Sequence, residues 1–202
     1  NGSNQGTKWR ARLFNDSNWS TGPAQLGYGD GDEKTKLSFG GNSSNKHVTT
    51  YFRHSFEVTN PAGVTSLEAA LVRDDGAVAY LNGKEILRSN MPQGNVRYNT
   101  FASLTVGGDE ESAFHPFTVD PALLVEGKNV IAVEVHQTSR TSSDIGFDFK
   151  LRGKGSGDNQ PPKVLPFIEL TLAWPSRIKL EVQVSDDALP STPGQLAMRW
   201  KL

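Results

Sequence analysis

The sequence predicts an all-β chain, and three observations carry that prediction. Apolar residues recur with period two in short runs. Helical periodicity is absent over any long stretch, and Gly, Pro and Asn punctuate the runs. Many short strands of this kind build a β-sandwich or a barrel. In the first run, Thr49–Val58, the residues Phe52, Phe56 and Val58 share one face, and Tyr51, Arg53 and Glu57 share the other. A second run, 64–72, places Leu67, Ala69 and Leu71 together. The third, 77–81, leads into Asn82-Gly83, a dipeptide suited to the positive-φ positions of a type I′ hairpin turn. Residues 84–88 are then the return strand. The run 130–136 is the most apolar and is expected at the centre of a sheet. Residues 145–151 alternate Ile145, Phe147, Phe149 and Leu151.

Helical signals are limited to single turns. Asp120 suits a cap, Pro121 the first helical position, and Leu123-Leu124 an inward face, with Gly127 as the stop. A second turn is expected over Asn15-Asp16-Ser17-Asn18-Trp19. Gly153-Lys154-Gly155-Ser156-Gly157, followed by Pro161-Pro162, marks the clearest boundary. Three further strand candidates follow it, at 164–172, 177–184 and 196–202. The expected organisation is therefore 1–152, a linker at 153–162, and a second unit at 163–202.

Composition removes several function classes. The chain has 202 residues, 21 Lys+Arg against 22 Asp+Glu, and no Cys. Its net charge of -1 gives no basic field for a polyphosphate, so nucleic acid is not an expected partner. Without Cys there is no thiol catalysis, disulfide framework or Cys-ligated zinc. No apolar run approaches the ~20 residues of a membrane span. The opening Asn1-Gly2-Ser3-Asn4 and the strand-like ending 198–202 read as the limits of a piece of something longer.

Several strings together carry a family resemblance. They are Phe14-Asn15-Asp16-Ser17-Asn18-Trp19, the Gly-rich Gly27-Tyr28-Gly29-Asp30-Gly31-Asp32-Glu33, and Arg73-Asp74-Asp75-Gly76-Ala77-Val78-Ala79-Tyr80-Leu81-Asn82-Gly83. Asn129-Val130-Ile131-Ala132-Val133-Glu134-Val135-His136-Gln137 completes the pattern. Over roughly residues 7–152 the chain resembles the galactose-binding-like jelly-roll β-sandwich of large secreted bacterial proteins. It is similar to the sugar-binding domain of family-two glycoside hydrolases. Residues 158–202 resemble the start of a PKD-like or cadherin-like immunoglobulin-type (Ig-like) module, with the acidic turn Asp186-Asp187. The resemblance implies a non-catalytic carbohydrate-binding module, secreted or on the cell surface, that binds polysaccharide or oligosaccharide and targets a larger protein to it. The same fold also serves as a structural spacer. Unclosed strand edges at the two ends would then serve strand-mediated self-association.

Candidate chemistry follows the same residues. No metalloprotease, nucleophile-elbow or phosphate-loop motif is present, so the expectation is a non-catalytic chain; a fragment of a glycan-active enzyme is the alternative. A sugar takes an aromatic platform and bidentate polar groups. Arg53, Arg73, Asp74, Glu134 and His136 are the candidate polar contacts, and Tyr28 the stacking face. If their strands are neighbours, Arg53, Arg73, Glu134 and His136 line one sheet face, either as a sugar site or as a structural Arg–Glu brace. Asp30, Asp32 and Glu33 alternate acids on a Gly-rich turn and are the candidate Ca²⁺ ligands, with Asp109, Glu110 and Asp144 as further oxygen donors. The bland reading of the same turn is that Asp-Gly simply reverses the chain.

Overall fold

The computed structural model describes residues 2–155 and 199–201. Eleven strands among them form two sheets. They are β1 (Thr21–Pro23), β2 (Leu26–Tyr28), β3 (Thr35–Lys36), β4 (Thr49–Val58), β5 (Val64–Asp74), β6 (Gly76–Leu81), β7 (Lys84–Ser89), β8 (His115–Val119), β9 (Gly127–His136), β10 (Ile145–Gly155) and β11 (Arg199–Lys201). One sheet runs β1-β11-β4-β9-β6-β7 and the other β3-β2-β10-β5-β8. The chain is thus an all-β, two-sheet sandwich, as its periodicity predicts.

The core lies between the sheets because period-two alternation delivers one apolar face from each. Phe52, Ala79, Leu81, Ile131 and Val133 meet Leu67, Leu71, Phe147 and Phe149 there. The Phe52 and Phe147 rings stack with centroids 4.0 Å apart. The first sheet is covered on its outer face as well. Tyr51, Val78, Tyr80, Val130 and Ala132 pack under Trp9, Met91 and Ala102. Burial on both faces explains why β6 and β9 read as nearly continuous apolar runs and not as alternating ones.

Local chemistry sets the turns. Asn82 and Gly83 take φ of 53° and 89°, the left-handed pair that the hairpin between β6 and β7 requires. The Asp120 side chain accepts from the Ala122 N–H at 2.9 Å and caps the 3-10 turn Pro121–Leu123. The Trp19 N–H closes the expected turn on the Asp16 carbonyl at 3.0 Å. As expected, β9 is an interior strand, between β4 and β6.

The structure differs from the sequence reading at three places. β8 is a strand despite Pro116, because it lies at the edge of its sheet, where a missing N–H costs no ladder bond. β10 continues past the expected boundary: Gly153 and Lys154 pair with Leu67 and Ser66, so the ladder to β5 overrides the poor strand preference of glycine. β11, expected inside the second unit, pairs instead with Thr21–Pro23 and reaches Arg53 of β4 through Lys201. The remainder of the expected Ig-like unit, including 164–172, 177–184 and Asp186-Asp187, lies outside the described residues.

Candidate functional site

The antiparallel register of β4 and β9 sets Tyr51 opposite Glu134, Arg53 opposite Ala132 and Thr49 opposite His136. Arg53, Glu134 and His136 therefore share the outer face of the first sheet. They are only 1%, 2% and 0% exposed, because the Trp9 segment lies over them. Arg53 donates from Nε to Asp16 Oδ2 at 3.0 Å, and from its guanidinium to the Trp9 and Ala11 carbonyls. Glu134 Oε1 accepts from Arg10 Nη2 at 3.0 Å and from the Tyr80 hydroxyl at 2.7 Å. His136 Nε2 lies 3.4 Å from Glu134 Oε2. The other ring nitrogen, Nδ1, is 2.7 Å from the Thr100 carbonyl, which only accepts, so Nδ1 carries the proton. Arg53 and Glu134 brace the N-terminal segment onto the sheet, and His136 ties Thr100 to it, so all three are engaged inside the fold.

Arg73 is separated from this group. It stands at the end of β5 in the second sheet and reaches Ser89 Oγ at 3.0 Å and Glu110 Oε1 at 2.7 Å. The expected four-residue polar face is thus a three-residue buried network, with Arg73 elsewhere. Strand parity could not reveal this, because it does not say which strands share a sheet.

A second constellation gathers where β2, β10 and β5 run side by side. Gly27, Gly146 and Asp74 are neighbours across these strands. The single helical turn α1 (Asp109–Ser112) lies against Gly146: a Cβ there would sit 3.6 Å from the Glu111 carbonyl, in ordinary van der Waals contact. Gly29 has φ of 117°, and a Cβ on it would lie 2.4 Å from Asp144 Cβ. Gly29 thus lets Asp144 approach the turn, and Asp30, Glu111 and Asp144 converge with one oxygen from each all within 4.8 Å of one another. Asp74 is 2% exposed and faces Asp75 and Asp144. Like charges ~4 Å apart repel by about 4 kcal/mol at an effective dielectric of ~20. Burial first, then Asp75 and Asp144, hold the Asp74 carboxyl well above the usual carboxylate range. Asp30 is pushed up to about 6, by desolvation and then by Asp144 and Glu111.

The other predicted residues at this end have different duties. Tyr28, expected as an exposed stacking face, is half-buried, with Phe39 edge-on at 5.4 Å and Lys46 Nζ over its ring at 5.1 Å. Its hydroxyl accepts from Gln137 Nε2, and burial pushes the phenol up to about 12. Glu33 accepts from the Asp30 and Gly31 N–H groups at 3.0 and 3.2 Å, so its carboxylate closes the turn. Asp30, Asp32 and Glu33 still bring their oxygens within 4.8 Å, a second acidic group able to hold a metal ion. Asp75 is held by the Val106 N–H at 2.8 Å and the Thr138 N–H at 2.7 Å, which makes it a tie between loops.

An open cavity of about 350 Å³ lies on the other side of Lys46. Its wall includes Asn42, Asn45, His47, Tyr98, Asn99 and Arg140. Tyr98 is 38% exposed. Its backbone is fixed from below: Thr49 Oγ1 donates to the Tyr98 carbonyl at 2.6 Å, and His136 holds Thr100. Arg140 Nη1 donates to Asn45 Oδ1 at 3.2 Å, and the Lys46 N–H to the Arg140 carbonyl at 2.9 Å. The described residues lining the cavity include no Asp or Glu.

No protein-family model and no curated protein matches the chain. Solved structures similar to part of it include the α-L-rhamnosidase of Streptomyces avermitilis complexed with L-rhamnose, at 16% identity, over 55% of this chain and 9% of that one, with a TM-score of 0.39. The α-L-rhamnosidase of Aspergillus terreus gives 17% identity over 56% of this chain and 13% of that one, with a TM-score of 0.37. The β-D-mannosidase of Dictyoglomus thermophilum gives 23% identity over 44% of this chain and 9% of that one, with a TM-score of 0.29. The chain matches only 9% to 13% of the length of these enzymes. Among the described residues, no helix is long and apolar enough to cross a membrane.

The sequence pattern singles out none of the polar cavity residues. Asn42, Asn45 and Arg140 sit in irregular segments with no periodicity, and only the folded loops join them. Glu111 was missed for the same reason, since a one-turn helix carries no amphipathic signal.

Proposed function

We propose that this chain is a non-catalytic glycan-binding domain, secreted or displayed on a cell surface, and that the cavity beside Tyr98 is its site. The cavity itself carries the reading. Its volume suits a small ligand such as one or two sugar rings. The exposed Tyr98 ring offers an apolar face to sugar C–H groups, and the amides of Asn42, Asn45 and Asn99 with the Arg140 guanidinium offer directed hydrogen bonds to hydroxyls. A glycosidase needs two carboxyl groups flanking the bond it breaks, and this lining supplies neither. Binding at one such site is weak, and tethering to a larger protein or a repeated polysaccharide strengthens it.

The test is a glycan array followed by titration of the best ligand. Tyr98→Ala and Arg140→Ala are each expected to weaken binding at least about tenfold, or 1.4 kcal/mol. Both side chains are exposed, so the melting temperature should stay near that of the parent chain. A blank array, or variants that bind like the parent, would sink the reading. A blank array together with concentration-dependent assembly would favour the structural spacer, acting through strand edges.

A further inference from the structure

The cavity beside Tyr98 is locally positive in a chain whose net charge is -1. Arg140 and Lys46 stand in its wall, with no Asp or Glu beside them among the described lining residues. The ion pairs of Lys and Arg among the described residues are made by other cations: Arg10, Arg53, Arg73, Arg88 and Lys154. Lys46 is 8% exposed and its Nζ is spent on the Ser142 and Ser143 carbonyls, so it acts as a fixed charge in the wall. Arg140 is exposed and commits Nη1 to Asn45 Oδ1 at 3.2 Å. The rest of its guanidinium fork is left for a ligand. His47 also lines the cavity, but burial lowers its pKa, so it is neutral at pH 7 and adds no charge.

The amides of the lining are biased in the same direction. Asn42 Oδ1 accepts from the Ser44 N–H at 2.9 Å, and Asn45 Oδ1 accepts from Arg140. A backbone N–H and a guanidinium only donate, so in both amides the oxygen is the occupied atom. Asn42 and Asn45 therefore keep their Nδ2 donors for a ligand. A sugar hydroxyl both donates and accepts, whereas a carboxylate or a sulfate ester only accepts. A cleft lined by one sign of charge also raises the local concentration of an oppositely charged ligand. On the glycan reading of this cavity, we propose that its ligand is an acidic sugar, whose carboxylate or sulfate is taken by the Arg140 guanidinium and the Asn42 and Asn45 amides while Tyr98 packs on the ring. The planar guanidinium matches two oxygens of either anion at once.

The experiment places acidic glycans on the array beside neutral forms of the same sugars and titrates the full chain with the pairs. The pairs are short oligogalacturonates against their methyl esters, and sulfated galactan oligosaccharides against their desulfated forms. An acidic glycan is expected to bind best, about tenfold or more tighter than its neutral form. Raising NaCl from about 50 to about 500 mM should weaken it about threefold or more. The pair that shows the preference tells carboxylate from sulfate. Arg140→Gln should cost the acidic form about tenfold and the neutral form less than about threefold. Tyr98→Ala should weaken both forms, since the ring face serves either. A best ligand that is neutral and is lost in Tyr98→Ala would overturn the acidic-sugar inference and leave the glycan reading standing. Equal losses for both forms in Arg140→Gln would do the same. Acidic glycan that still binds both variants as it binds the parent sits elsewhere, and overturns the cavity as the site. A blank array overturns the glycan reading and this inference with it.

Discussion

Glu134→Ala is expected to lower the unfolding free energy by about 3–5 kcal/mol, the cost of removing one partner of a buried ion pair. The site offers no easy relaxation. Arg10 Nη2 and the Tyr80 hydroxyl converge on the same oxygen, and Tyr80 is 2% exposed. Arg10 also lies over the Tyr80 ring, with its guanidinium carbon 4.1 Å from the centroid. Losing the carboxylate leaves a phenol without an acceptor and loosens the cation above it. Glu134→Gln keeps the shape and an oxygen for the Tyr80 hydroxyl, so its cost should be roughly half as large. Urea unfolding of the two variants against the parent measures both numbers. A Glu134→Ala chain within 0.5 kcal/mol of the parent would show that the N-terminal segment is not held by this carboxylate. Folded Glu134→Ala protein should still bind glycan if Tyr98 and Arg140 form the site, because Glu134 does not line the cavity.

Legibility in the sequence followed the length of the signal. β4 is found where its alternation predicts it, and the Asn82-Gly83 hairpin takes the backbone its chemistry requires. β1, β2 and β3 have two or three residues each, too short for a period to show. The shared face of Glu134 and His136 was readable from parity. Their burial was not, since it depends on Trp9 folding across the sheet from more than 120 residues away. The reverse holds for Tyr98 and Arg140: each is an ordinary loop residue until β4, β9 and the 139–144 segment bring them to one cavity. Long-range strand order, and not local pattern, separates a structural arginine from a binding one here.

Stability of the chain in EDTA is expected to rise as pH falls from 8 toward 5. The sign follows from where protons are held. An unfolded aspartate or glutamate takes up its proton near pH ~4. Asp30 does so at about 6 in the folded chain, and Asp74 higher than the usual range. Glu111 and Asp148 are shifted the same way, each by burial first. Between pH ~4 and these raised values the native state binds more protons than the unfolded state. Acidification therefore stabilises it, by about 1.4 kcal/mol per pH unit for each extra proton held. His47, lowered by burial, works against this below its ordinary 6.5, but it is one group against four. Glu33 and Glu110 are lowered, so the stability they add is lost only below the usual carboxylate range. The curve should climb from pH 8 to about 5 and then fall. Asp74→Asn should flatten the climb by removing the most shifted group. Urea midpoints of the parent and of Asp74→Asn at four pH values in EDTA test both curves. A parent chain equally stable at pH 5 and pH 8 in EDTA would mean that these four carboxyls hold their protons no more tightly in the folded chain than in the unfolded one.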